Sequence, residues 1–193
     1  MSLRISALIL LSAFYIVYFA KMLMLKKQNI KGNILGKGDK PRDSLMIEIV
    51  LRFITFLIVP VQYINVILSG LIWSIPTIHF ISVVGLFLML VGVLIFLFAV
   101  VTMRNNWRAG YSYEQDTQLV TNGIYRFSRN PAFVGFDLLY IGCALVFPNI
   151  IIIFLSLVAV VLFHFQILGE EQFLAGMFNK SYLEYKAKTR RYL

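Results

Sequence analysis

Two short segments of this 193-residue chain carry side chains suited to chemistry: Arg126 to Pro131, with Asn130 between Arg129 and Pro131, and the adjacent carboxylates Glu170-Glu171. Pro131 suits the first turn of a helix, where its missing N–H costs nothing, and Asn130 is a good residue to cap it. The unpaired amides of such a turn favour an anionic or electron-rich group. Starting a helix does not, however, explain Arg126 and Arg129 beside it. Glu170 and Glu171 directly follow a long apolar run, so at least one faces the interior at the level of the Arg129 junction. A pocket for a charged cofactor is the economical explanation. Met177, Phe178, Phe173 and Leu174 recur at helical spacing after the carboxylates. Tyr182 to Lys188 then reads as an amphipathic surface helix, with Asn179 as the break before it.

These residues are positioned by apolar helices. With 60% hydrophobic residues, 14% charged ones and a mean hydropathy of +0.81, the chain is an integral membrane protein. Crossing about 30 Å of hydrocarbon takes roughly 20 helical residues. Five stretches approach or exceed that length, at about 5–25, 45–69, 79–103, 132–147 and 150–168, the fourth being short. The expected fold is an all-α polytopic bundle of about five transmembrane helices. Residues 1–193 form one domain: three spans over 1–103, then a cofactor-binding loop, a helical hairpin broken at Pro148-Asn149 and a tail helix over 104–193. Sixteen of the eighteen Lys and Arg lie in 21–42, 104–129 and 180–191, whereas 70–78 and 148–149 have none. The excess of cations marks the cytoplasmic side, which predicts an external N-terminus and a cytoplasmic C-terminus. No small-x-small site precedes the lysine cluster at 21–31, so the first span reads as a retained anchor.

Composition and spacing also exclude functions. The +9 charge flanks spans, which suits contact with anionic membrane lipids rather than nucleic acid. Cys143 is the only cysteine and the two histidines fall at opposite ends, so no metal site is expected. Within the spans, Glu48 and Arg52 are four residues apart and are expected to pair on one helix face. Asp137 lies one and a half turns into the fourth span, where a carboxylate must face the bundle or a polar cavity. His164 and Gln166 lie near the cytoplasmic end of the fifth.

The run Gly123-Ile124-Tyr125-x-x-x-Arg129-Asn130-Pro131-x-Phe133-x-Gly135, a hairpin, then Glu170-Glu171-x-x-Leu174-x-x-x-Phe178-x-x-x-Tyr182-x-x-Tyr185 and a basic end, resembles the isoprenylcysteine carboxyl methyltransferase family and its phospholipid methyltransferase relatives. The resemblance covers roughly 104–193. It implies an S-adenosylmethionine-dependent membrane methyltransferase whose cofactor meets Thr117, Gln118, Leu119, Val120, Tyr125, Asn130, Pro131, Ala132, Phe133 and Glu170. Asn130 stands where the family usually has His, Phe133 where it has Tyr, and Thr117 where a His is common. Gln166 replaces an Arg that meets the substrate carboxylate in the isoprenylcysteine enzymes, which removes the reason to name a prenylated protein as substrate.

Methyl transfer from a sulfonium is a direct displacement, so it needs alignment and little water. The expected acceptor is a lipid-like or small amphiphile entering from the bilayer, its head near Arg129, Gln166 and Arg191, with Asp137 also on the substrate side. For a carboxylate acceptor no base is required, and Arg129 or Arg191 would position it. For an amine, Glu171 or Asp137 would take the proton. Both chemistries stay open. Membrane sterol-type reductases, which use NADPH, share the C-terminal pattern and form a second class, and a non-catalytic membrane protein of the same fold a third.

Overall fold

Among the described residues five α-helices carry the chain back and forth through one bundle: α1 (Leu3–Lys27), α2 (Arg42–Ile67), α3 (His79–Met103), α4 (Pro131–Val146) and α5 (Ile150–Lys188). The computed structural model describes residues 2–69, 75–111 and 117–193. The connection around Ser74 and the middle of the polar run before Thr117 lie outside the described residues. Four helices are long and apolar enough to cross a membrane, and exposed side chains such as Ile16, Phe53, Phe80 and Phe154 give them a lipid-facing surface. The protein is an integral, multi-pass membrane protein. The fourth expected span is the exception in length: its 16 residues rise only about 24 Å.

Short α4 is held by close backbone approach to α3. Gly85 faces Gly142 and Gly92 faces Gly135, so tightly that a Cβ on Gly142 would lie 2.6 Å from the Gly85 carbonyl and one on Gly92 2.7 Å from the Gly135 carbonyl. Small residues permit this packing, which dispersion favours where lipid supplies no hydrophobic drive. Around it Phe14, Phe96, Phe136 and Phe163 form a continuous aromatic core, with Phe14 stacked on Phe96 at 4.4 Å between ring centres.

The basic connections converge at one end. Residues 32–34 pair with Ala109 through Ile34 N–H to Ala109 O (2.9 Å) and Ala109 N–H to Gly32 O (2.8 Å). Segment 126–130 pairs with the chain end, Arg129 N–H donating to Arg190 O at 2.9 Å. At the opposite end the α4–α5 hairpin turns at Pro148-Asn149 as expected, and the Asn149 side chain caps α5 by accepting from Ile151 N–H. Helix α5 runs on through Glu170 and Glu171 and kinks at Asn179 (φ 45°). Beyond the kink Tyr182 is buried, and the Tyr185 hydroxyl donates to Tyr125 O at 2.6 Å.

The Glu48–Arg52 pair expected from helical spacing does not form. Glu48 instead meets Lys40 at 2.6 Å, both side chains fully buried, and accepts from Gly36 N–H at 2.7 Å. Gly36 and Gly38 have positive φ (67° and 84°), so the loop folds back and delivers Lys40 to the helix.

Candidate functional site

Glu171 is the charged centre of the basic end. Arg129 Nη2 donates to its Oε1 at 2.7 Å, while Arg191 donates to both oxygens, Nε to Oε1 and Nη2 to Oε2, at 3.0 Å each. Burial alone would raise this carboxyl's pKa, but hydrogen bonds and charge from Arg191 and Arg129 outweigh it and hold the group below the usual carboxylate range. Arg129 also donates to the carbonyls of Thr189 and Lys186, and Asn130 Nδ2 to Arg191 O at 3.2 Å. Asn130 precedes α4 as expected, but its side chain makes no cap hydrogen bond and faces the tail instead. The three residues expected to act chemically, Arg129, Glu171 and Arg191, are engaged with one another, and they lock the chain end onto the start of α4. A carboxylate held by two guanidiniums is a poor proton acceptor, which argues against Glu171 as the base for an amine.

Against this clamp lies a small cavity of about 100 Å³ whose lining mixes polar groups with aromatic and aliphatic side chains; it is the more polar of two cavities among the described residues. Of the residues expected at the cofactor, Thr117, Tyr125, Asn130, Ala132, Phe133 and Glu170 line it, together with Arg129. Gln118, Leu119, Val120 and Pro131 do not; the Gln118 amide is tied to Asn106 Oδ1 at 3.2 Å. Met103, Asn106, Trp107, Arg108, Gly110, Tyr111, Phe173 and Leu174 complete the wall and were given no site role in the sequence. Aromatic residues close to a motif were the available signal. Tyr111 stacks on Phe173 at 4.8 Å.

Glu170 Oε1 accepts from Gln166 Nε2 at 3.0 Å, and the same amide donates to Glu48 Oε1 at 3.1 Å. Burial pushes the Glu170 carboxyl up to about 7, with Gln166 opposing the rise and Glu48 adding to it. Gln166 is therefore spent on two carboxylates and lines neither cavity; nor does Asp137, whose Oδ1 is buried without a hydrogen-bond partner among the described residues. Arg191 is likewise absent from both walls. Of the three residues expected at the acceptor head, Arg129 lines the small cavity, while Gln166 and Arg191 line neither.

A second cavity, of about 730 Å³ and mainly apolar, lies between α1, α2, α4 and α5. Phe19, Phe53 and Phe56 line it while remaining 55%, 64% and 80% exposed, so it opens sideways onto the lipid-facing surface. Its inner wall reaches Tyr15, Tyr140 and Phe163. Trp107, Arg108, Gly110, Ala132 and Phe133 belong to both cavities, which therefore share one wall. The cations on the large cavity are Arg52 and Arg108, and its described lining has no Asp or Glu.

Comparison with known proteins places the same region in a family. A family model described as phospholipid methyltransferase matches residues 80–181. The "Probable protein-S-isoprenylcysteine O-methyltransferase" of Oryza sativa subsp. indica is 33% identical over 113 residues, 57% of this chain and 59% of that protein. The protein-S-isoprenylcysteine O-methyltransferase of Schizosaccharomyces pombe (strain 972 / ATCC 24843) is 37% identical over 76 residues, 39% of this chain and 32% of its own length. The chain thus spans about three-fifths of the rice relative and a third of the yeast one.

Proposed function

Because the chain belongs to the phospholipid methyltransferase family, we propose that it is an S-adenosylmethionine-dependent methyltransferase acting on an amphiphile drawn from the bilayer. One observation carries the reading: a polar cavity at the basic end and an apolar cavity open to lipid share the wall of Trp107, Arg108, Gly110, Ala132 and Phe133. Two substrates of opposite polarity can then meet without either leaving its own solvent.

The polar cavity's side chains suit the cofactor's groups, but its volume of about 100 Å³ holds only part of that molecule, so its walls must move apart on binding. Tyr111, Tyr125, Phe133, Trp107 and Phe173 offer ring faces for a purine, and Glu170, Asn130 and Thr117 offer hydrogen bonds to ribose or amino-acid groups. Bound there, S-adenosylmethionine would supply an activated methyl group on a sulfonium, ready for direct displacement. The chain's part is alignment and dryness: Ala132 and Phe133 wall the junction, and the Glu171 clamp fixes the segment that carries them. An apolar acceptor tail in the large cavity gains about 0.8 kcal/mol per buried CH₂. Orientation follows the positive-inside bias, with the basic end cytoplasmic and the N-terminus outside.

The test uses the whole protein in lipid nanodiscs with methyl-labelled S-adenosylmethionine and single-chain acceptors of increasing length. Label should enter the organic-extractable fraction and rise with chain length. Label confined to water-soluble products, with no length dependence, refutes the lipid acceptor. Binding of NADPH but not S-adenosylmethionine gives the reductase reading instead.

A further inference from the structure

We propose that Arg52 is the head-group residue of the large cavity and that this site selects an amphiphile whose head is an oxyanion. This rests on the reading of that cavity as the acceptor site. Arg52 lies ten residues into α2, about 15 Å along it and inside the stretch read as a span. A cation at that depth is expensive unless something neutralises it. The neighbour at helical spacing, Glu48, is taken by Lys40, Gly36 N–H and Gln166. Among the described residues the Arg52 guanidinium has no ion pair or hydrogen bond, and Arg52 is exposed and lines the cavity, as do the lipid-facing Phe53 and Phe56. The Arg52 guanidinium, with no carboxylate among the described lining residues of a mainly apolar wall, complements one kind of ligand: an apolar tail with an anionic head. Arg108, the other cation, sits on the wall shared with the polar cavity and is already engaged with Thr117 Oγ1 at 3.3 Å, so the head-group role falls to Arg52. Arg52 is a binding residue in this scheme and takes no part in bond making.

Phospholipid phosphate offers the same chemistry as an acceptor's own oxyanion, and the experiment separates them. Trp107 lines the cavity, and in a Trp73→Phe background it is the only indole. Its quenching by ω-bromododecanoate and by ω-bromododecanol is measured in phosphatidylcholine nanodiscs at about pH 9, which keeps the acid ionised although the bilayer raises its pKa above the aqueous value near ~4. The anionic probe should bind more tightly to the unsubstituted site. Arg52→Gln should weaken that probe by at least about tenfold, the scale of a charge-assisted hydrogen bond, and leave the alcohol unchanged; Arg52→Lys should keep most of the preference. An unchanged preference in Arg52→Gln overturns the proposal. So does equal loss of both probes, which would make Arg52 a wall residue, and so does an Arg52 effect seen only when phosphatidylglycerol is added, which would assign it to bilayer headgroups. No quenching by either probe removes the acceptor cavity itself. Binding preference without methyl transfer leaves the Arg52 site standing and sinks only the methyltransferase reading.

Discussion

Glu171→Gln tests whether the most strongly paired carboxylate is a strut or a reagent. The substitution keeps volume and one acceptor oxygen but removes the charge facing Arg129 and Arg191, whose side chains are 7% and 32% exposed. Stranding a buried guanidinium costs about 3–5 kcal/mol, whereas the more exposed Arg191 pair is worth at most about 1 kcal/mol. Because the amide oxygen still accepts, the lower end, about 3 kcal/mol, is expected. At about 1.36 kcal/mol per power of ten, the tail should undock roughly 150-fold more often. Amide hydrogen exchange reads this directly, since Arg129 N–H is bonded to Arg190 O across the docked interface. Exchange at Arg129 should rise by about two powers of ten while the α3 amides around Phe96 stay protected. The Glu171 pKa is lowered in the folded state, so its contribution is present above the ordinary value near ~4.3 and is lost as pH falls through the folded value below it. The Gln variant should lack that acid step. Unchanged exchange at Arg129 together with abolished methyl transfer would refute the strut and return Glu171 to the chemistry.

Gly135→Ala, whose Cβ would lie 2.8 Å from Phe96 Cβ and 2.9 Å from Gly92 O, should destabilise the bundle by about 1–3 kcal/mol in a thermal scan; Gly176→Ala, with nothing within 4 Å, should stabilise by up to about 1 kcal/mol, and the opposite order would discredit the α3–α4 contact. Glu170→Gln should weaken S-adenosylmethionine binding by about tenfold or more in calorimetry. Since the Glu170 carboxyl titrates at about 7, the wild-type affinity should climb as pH rises through that value and the Gln variant's should not; parallel curves would exclude an ionised Glu170 from the contact. Reporters fused after Lys37 and after Leu193 should both be cytoplasmic and one near Ser74 external, so a split between the first two would end the proposed orientation.

Apolar runs were legible because a span is a composition as much as a shape: 79–103 matches α3 residue for residue, and the other starts fall within three residues. Pairing was less legible. Helical spacing offers Arg52 to Glu48, yet Lys40 arrives through a turn that only the positive φ of Gly36 and Gly38 permits. Glu171 and Arg129 were singled out together, but their mutual ion pair spans 42 residues of chain and consumes the charge that made them look reactive. Gly85, Gly92, Gly135 and Gly142 carried an unused signal, a seven-residue repeat of glycine in both partner helices. The large cavity left no trace, because Phe53 and Phe56 have the same chemistry whether they face lipid or a ligand.

The two cavities divide the chain unequally with respect to its relatives. Every described residue lining the polar cavity lies within 80–181, the stretch that matches the family model. Thirteen of the twenty-two residues lining the apolar cavity lie before it, on α1, α2 and the loop between them. On the proposed reading, the donor side is family property and the acceptor side is local. On the same reading the acceptor's cation is Arg52 on α2, and the neutral Gln166 on α5 serves Glu48 and Glu170 instead. Gln166 bridges Glu48 and Glu170 through one neutral amide, whereas an Arg there would add a charge between the two carboxylates and draw Glu170 toward itself and away from the polar cavity. A Gln166→Arg variant should accordingly lose S-adenosylmethionine affinity without gaining acceptor binding. A variant that binds dodecanoate more tightly and the cofactor equally well would show that the two positions are interchangeable and that the division is wrong.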